Sequence, residues 1–199
     1  MTRAIAYWVY LLYGVLILVG LVSLVRYIPL FFPPAQYDFR AYYAAGYAVI
    51  HHLSLYEKHL DYQPDFLYMP ITALFFVPLA WFPMAVALWM WYGINLIAWG
   101  SWVWLLLAYI PLTRWHKWLV MLTAVVLPAS IDIIALGQIT HVIMLGIVAS
   151  LVLLRRGASG WAGLIIGVLI IIKVQLLLLV VLFLWRKDVR GALTTVATV

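Results

Sequence analysis

The chain has 199 residues, 68% of them hydrophobic and 9% charged, against about 25% charged in an average soluble domain. So few charges do not cover the surface of a water-soluble fold of this size, which excludes that class. Twelve Lys and Arg against six Asp and Glu give a net charge of +6. The bases collect at segment ends (Arg114/Lys117, Arg155/Arg156, Arg186/Lys187/Arg190), which is the pattern of membrane flanks and not of a nucleic-acid surface. There is no cysteine, so disulfides, thiolate metal sites and Cys nucleophiles are excluded.

The apolar residues come in runs of roughly 15 to 26, close to the ~20 a helix needs to cross a bilayer. Runs such as Leu176-Leu177-Leu178-Leu179 lack the period-2 alternation of a membrane β-barrel. In chain order, Ile5 to Val25 follows Arg3 and reads as a retained helix. It is too long for a signal-peptide core, and Arg26-Tyr27-Ile28-Pro29 is no small-residue cleavage site. Arg26 to Tyr68 is the most polar region, with Asp38, Glu57, Asp61 and Asp65, four of the six acids, and His51, His52 and His59. Within it Asp38 to His52 predicts an aromatic- and Ala-rich helix at the membrane interface, its start marked by Pro33-Pro34 and an Asp38 cap. Phe66 to Phe82 is short and carries Pro70 and Pro78; it either crosses or re-enters. After Pro83 comes the long run Met84 to Tyr109, then the polar knot Thr113 to Lys117. Trp118 to Leu127 is apolar up to Pro128, and an irregular stretch then carries Asp132 and Gly137-Gln138. Ile139 to Leu154 and Trp161 to Trp185 are two further helices separated by Arg155-Arg156-Gly157. Gly191 to Val199 looks like the opening of another helix.

The expectation is an all-α, polytopic transmembrane bundle of about six segments. It forms one domain over residues 1–199, without linker, low-complexity tract or internal repeat. With the chain entering from inside, the positive-inside rule puts the 26–68 loop region outside.

Polar groups within apolar segments are costly and are candidates for function. Asp132, Gln138, His141 and Lys173 are of this kind. Lys173 either pairs with Asp132 or snorkels to the interface, and His141 is either a haem or pigment ligand or a histidine bonded to a neighbour's backbone. The exterior region has more texture: Asp38-Phe39-Arg40-Ala41-Tyr42-Tyr43-Ala44-Ala45, Leu55-Tyr56, Tyr68-Met69-Pro70 and Pro78-Leu79-Ala80. Asp38 lies one helical turn from Tyr42, so the two share a face. Asp38 is either a helix cap or a working carboxylate; the tyrosines are either an interfacial belt or part of a site.

These motifs, with a Trp-rich helix carrying Asn95, the Gly137-Gln138 pair and a helix ending near Lys173, resemble glycosyltransferase family 87. Its members are polyprenyl-phosphate-mannose-dependent mannosyltransferases of the GT-C superfamily. The resemblance covers nearly the whole chain and implies a GT-C-like bundle. The implied reaction moves mannose or a related sugar from a polyprenyl-phosphate donor to a hydroxyl of a lipid-linked or cell-envelope acceptor, on the outer face of a prokaryotic cytoplasmic membrane. It implies Asp38 as general base, and Tyr42, Tyr43, Tyr68, Gln138 and Lys173 as substrate-binding residues. No metal, cofactor or nucleic acid is implied; the partners are donor, acceptor and membrane lipids, with other membrane subunits as further candidates.

The chain departs from the family pattern at Thr140, where a Gly-Gln-x-Asn motif has Asn, and at Gln175, where a Lys-x-Pro motif has Pro. Family members are about twice this length, so these residues correspond to an N-terminal half. Those departures motivate a second reading, a non-catalytic subunit of a larger membrane complex whose Trp89, Trp91, Trp99, Trp102 and Trp104 contact partner helices, lipid or pigment.

Overall fold

The computed structural model describes residues 3–31, 37–61, 63–109, 111, 113–126 and 128–199. Among the described residues every regular element is helical and no strand occurs. Helix α1 (Arg3–Tyr27) runs into a 3₁₀ turn, Ile28–Phe31; the Pro33-Pro34 start signal lies outside the described residues. Helix α2 (Tyr37–Ile50) follows, then a loop, a 3₁₀ helix Pro70–Phe76, and the short α3 (Val77–Ala80). Helix α4 (Met84–Tyr109) begins just after Pro83, whose carbonyl accepts the Val86 and Ala87 N–H groups. Next come α5 (Arg114–Val126), α6 (Pro128–Ala135), α7 (Thr140–Arg155) and α8 (Ser159–Ile172). A 3₁₀ helix Val174–Leu179, α9 (Val180–Trp185) and α10 (Val189–Thr198) complete the order. The Asp188 carboxylate caps α10 by accepting the Gly191 N–H at 3.0 Å.

Among the described residues, two helices are long and apolar enough to cross a bilayer: α1, over Tyr10–Tyr27, and α4. The expectation of six full-length segments is not met by length, because the remaining apolar helices are shorter. Phe66–Phe82 is not one helix. Its helical part, Pro70 to Ala80, extends about 20 Å, short of the ~30 Å hydrocarbon core. Nor is Trp161–Trp185 continuous. The chain leaves α8 at Lys173 in an extended conformation (φ −134°, ψ 102°), although no Gly or Pro lies between Val168 and Trp185. At this end the Thr72 hydroxyl donates to the Ile171 carbonyl at 3.2 Å, giving a tertiary partner to an acceptor that the helix end leaves free. Asp132 sits on a helix and not on an irregular stretch, because Pro128 stands at a first helical position, where its missing N–H costs nothing.

The core forms where α2, the Pro70–Ala80 segment, α4, α7 and the end of α8 meet. Helix α2 does not lie on the surface: every residue from Phe39 to Gly46 is buried by protein. Small residues allow this approach, and a Cβ on Gly46 would stand 2.6 Å from the Phe76 carbonyl oxygen. Trp91, expected on an outward face, is likewise buried, whereas Trp89 and Trp104 are exposed.

The helix directions sort the charges. Helices α4 and α7 run from the α2 end to the opposite end, where the Arg155 guanidinium donates to the Tyr109 carbonyl at 2.8 Å. Helix α8 runs back, and the Val174–Trp185 segment returns to bring Arg186 beside Arg155. Arg155, Arg156, Arg186, Lys187 and Arg190 gather there; Asp38, Gln138 and Lys173 gather at the other end.

Candidate active site

Asp38 stands in the first turn of α2 and not at its cap. Its own N–H donates to the Leu136 carbonyl at 3.2 Å, which ties α2 to the turn between α6 and α7. That turn needs glycine. Gly137 has φ +71°, and a Cβ there would stand 2.7 Å from the Phe39 Cβ. The Trp91 indole N–H donates to the Gly137 carbonyl at 2.7 Å, fixing the turn from the α4 side. Gln138 is thereby delivered to Asp38.

The Gln138 side chain hydrogen-bonds the Asp38 carboxylate, Lys173 supplies a positive field, and Asp132 a negative one. Burial is the largest influence and raises the Asp38 pKa above its ordinary 3.8; Gln138 and then Lys173 oppose the rise, and Asp132 adds to it. A carboxylate poised this way takes up a proton more readily than an ordinary one. Thr140 has a role at this point. Its hydroxyl donates to the Gln138 side-chain carbonyl at 3.2 Å, which leaves the Gln138 amide N–H₂ to face the carboxylate. Position 140, where the motif departs from Asn, thus still orients the neighbouring glutamine.

Of Tyr42, Tyr43 and Tyr68, Tyr68 is the least buried. It lines a cavity of 210 Å³ with Leu67, Met69, Ile172, Lys173 and Gln175. Its hydroxyl shares a hydrogen bond of 2.8 Å with that of Tyr42. Tyr42 is 1% exposed, stacked on Phe76 with ring centroids 4.6 Å apart and edge-on to Trp91. It therefore holds Tyr68 in place and does not line the cavity. The Tyr43 hydroxyl donates to the Phe82 carbonyl at 2.8 Å and anchors the chain before α4. Burial raises the pKa of all three phenols, so they remain hydrogen-bond donors.

Lys173 does not pair directly with Asp132, since among the described residues Lys58–Asp65, at 3.6 Å, is the one ion pair. His141 is 1% exposed and stacked on Trp102 at 6.4 Å. Three contributors escaped the sequence reading. Arg40 is buried and donates from Nη1 to the Asp61 carbonyl at 2.9 Å. Gln63 is buried and accepts the His59 and Leu60 N–H groups. Trp91 carries the glycine turn. Arg40 and Gln63 fold the loop over α2, and a polar residue inside an otherwise solvated loop gives no sequence signal of that.

The glycosyltransferase family 87 model matches residues 66–199. The match takes in Tyr68, Gln138 and Lys173 and begins after α2 and Asp38. Neither the curated proteins nor the solved structures contain a match to the chain.

Proposed function

The chain belongs to glycosyltransferase family 87, and from that premise we propose that it is a membrane-embedded, polyprenyl-phosphate-sugar-dependent transferase with Asp38 as general base. The observation that carries this reading is the half-buried Asp38 carboxylate, hydrogen-bonded by Gln138 and within the field of Lys173. An acceptor hydroxyl loses its proton to the Asp38 carboxylate as its oxygen bonds to the sugar's anomeric carbon. The bond from that carbon to the donor phosphate breaks, and the phosphate leaves with the electron pair. The Lys173 ammonium, on the wall of the cavity beside Tyr68, stabilises the charge that develops there. The sugar is mannose or a close relative, and the acceptor is lipid-linked or part of the cell envelope.

The charge distribution orients the protein. The arginine-rich end takes the cytoplasmic side by the positive-inside rule, which leaves Asp38, α2 and the Pro70–Ala80 segment at the exterior face of a prokaryotic cytoplasmic membrane. The chain passes outward along α1, α5–α6 and α8, and inward along α4, α7 and Val174–Trp185. In this account Phe66–Phe82 re-enters and does not cross.

The test is Asp38→Asn in the full-length protein, assayed for transfer from a polyprenyl-phosphate sugar in membranes. Loss of a general base lowers the rate about 10²- to 10⁴-fold, and turnover equal to wild type would sink the proposal. The variant should fold. Burial raises the Asp38 pKa above its ordinary value, so at neutral pH the ionised carboxylate is less favourable in the folded chain than in the unfolded one, and removing its charge costs no stability.

A further inference from the structure

We propose a second site at the opposite end of the bundle, a groove that holds the phosphate headgroup and upper chains of an anionic phospholipid. Between the ends of α4 and α7 lies a cavity of 310 Å³, walled by Leu105, Leu106, Val148 and Leu151, with Arg155 and Arg186 at its rim. An adjoining cavity of 290 Å³ shares Leu151 and Arg186 and continues along Leu182 and Trp185. The two together form an apolar trough with a guanidinium pair at one end, the shape of a chain attached to an anion.

The charges call for a counter-ion that the described residues do not supply. Among the described residues no carboxylate lies within ion-pair distance of Arg155, Arg156 or Arg186. The acid that is near in sequence, Asp188, is occupied in capping α10. Arg155 is also held in place. One N–H is committed to the Tyr109 carbonyl, leaving four donors for an oxyanion. Arg156 donates to the Tyr109 hydroxyl and lies over its ring, 5.4 Å from the centroid. A soluble anion has no use for the leucine wall, and a zwitterionic lipid brings no net charge to match the arginines. An anionic phospholipid satisfies both, and the end of the bundle concerned is the one the charge distribution assigns to the cytoplasmic leaflet.

The experiment is native mass spectrometry of the purified full chain in detergent, titrated separately with phosphatidylglycerol and with phosphatidylcholine. Wild type should retain phosphatidylglycerol about tenfold more strongly, and inorganic phosphate should not displace it. The variant R155Q/R186Q should lose that preference, whereas R114Q/K117Q, an equal charge change at the same end, should keep it. L151W, at an exposed position with both arginines intact, should also weaken retention by filling the trough, and it tests the site if R155Q/R186Q does not fold. Equal retention of the two lipids, displacement by phosphate, or an equal loss in R114Q/K117Q would overturn the proposal. Transfer activity is not the readout, so failure here is distinguishable from failure of the Asp38 assignment.

Discussion

Helices α1 and α2 are neighbours in the chain and opposites in how they are held. Helix α1 is apolar and almost bare, with 6% of its Tyr10–Tyr27 stretch buried. Helix α2 carries Asp38, Arg40 and four tyrosines, and is enclosed from Phe39 to Gly46. In a water-soluble protein the assignment would be reversed, with leucines inside and Arg outside. The inversion is the one that a lipid solvent would produce. Apolar side chains gain nothing by leaving lipid, so α1 needs no protein cover, while polar side chains and irregular backbone must find partners within the protein. The site is built where cover is densest.

Substitutions that differ only in which helix they touch break or sharpen that comparison. The largest expected effect is Gly46→Val. Its Cβ would meet the Phe76 backbone at 2.6 Å, and overpacking against backbone costs about 3 kcal/mol or more. Gly14→Val on α1, where nothing lies within 4 Å of the added Cβ, should change thermal stability by less than about 0.5 kcal/mol. Equal effects in a detergent melting assay would show that α2 is not enclosed.

Next is Gly137→Ala, which combines a positive φ with a 2.7 Å approach to Phe39. It should cost about 2 kcal/mol and reduce transfer by moving Gln138, and a melt paired with an activity assay reads both. The smallest contrast is Arg40→Ala against Arg26→Ala. Arg40 is buried and bonded to the Asp61 carbonyl, and its loss should cost about 1.5–3 kcal/mol and open the loop to protease. Arg26 is exposed, and its loss should cost no more than about 0.5 kcal/mol.

The same contrast explains what was legible in the sequence. Long apolar runs declared α1 and α4, because hydropathy measures contact with lipid directly. The ordered motifs pointed to Asp38, Gln138 and Lys173, which do converge. Packing around α2 was not legible. At the break near Lys173 the Ile171 carbonyl is met by Thr72, 99 residues away, and no local signal announces it. Tyr42 and Tyr43 have the same composition and the same helix, yet one hydroxyl meets Tyr68 and the other meets Phe82. Trp91 reads like its neighbours Trp89 and Trp104, and only the position of Gly137 distinguishes it.

The central claim is that Asp38 works as a base whose proton affinity burial raises and Gln138, Lys173 and Asp132 adjust, and the pH dependence of kcat/KM tests it most directly. The acid limb of the wild-type profile should lie above 3.8, because burial raises the Asp38 pKa. Gln138→Leu removes a hydrogen bond that favours the ionised form, so its limb should move to higher pH. Asp132→Asn removes a negative field that disfavours that form, so its limb should move to lower pH. Opposite movements of the two limbs are the predicted result; limbs that stay where the wild-type limb lies would contradict the assignment of Asp38.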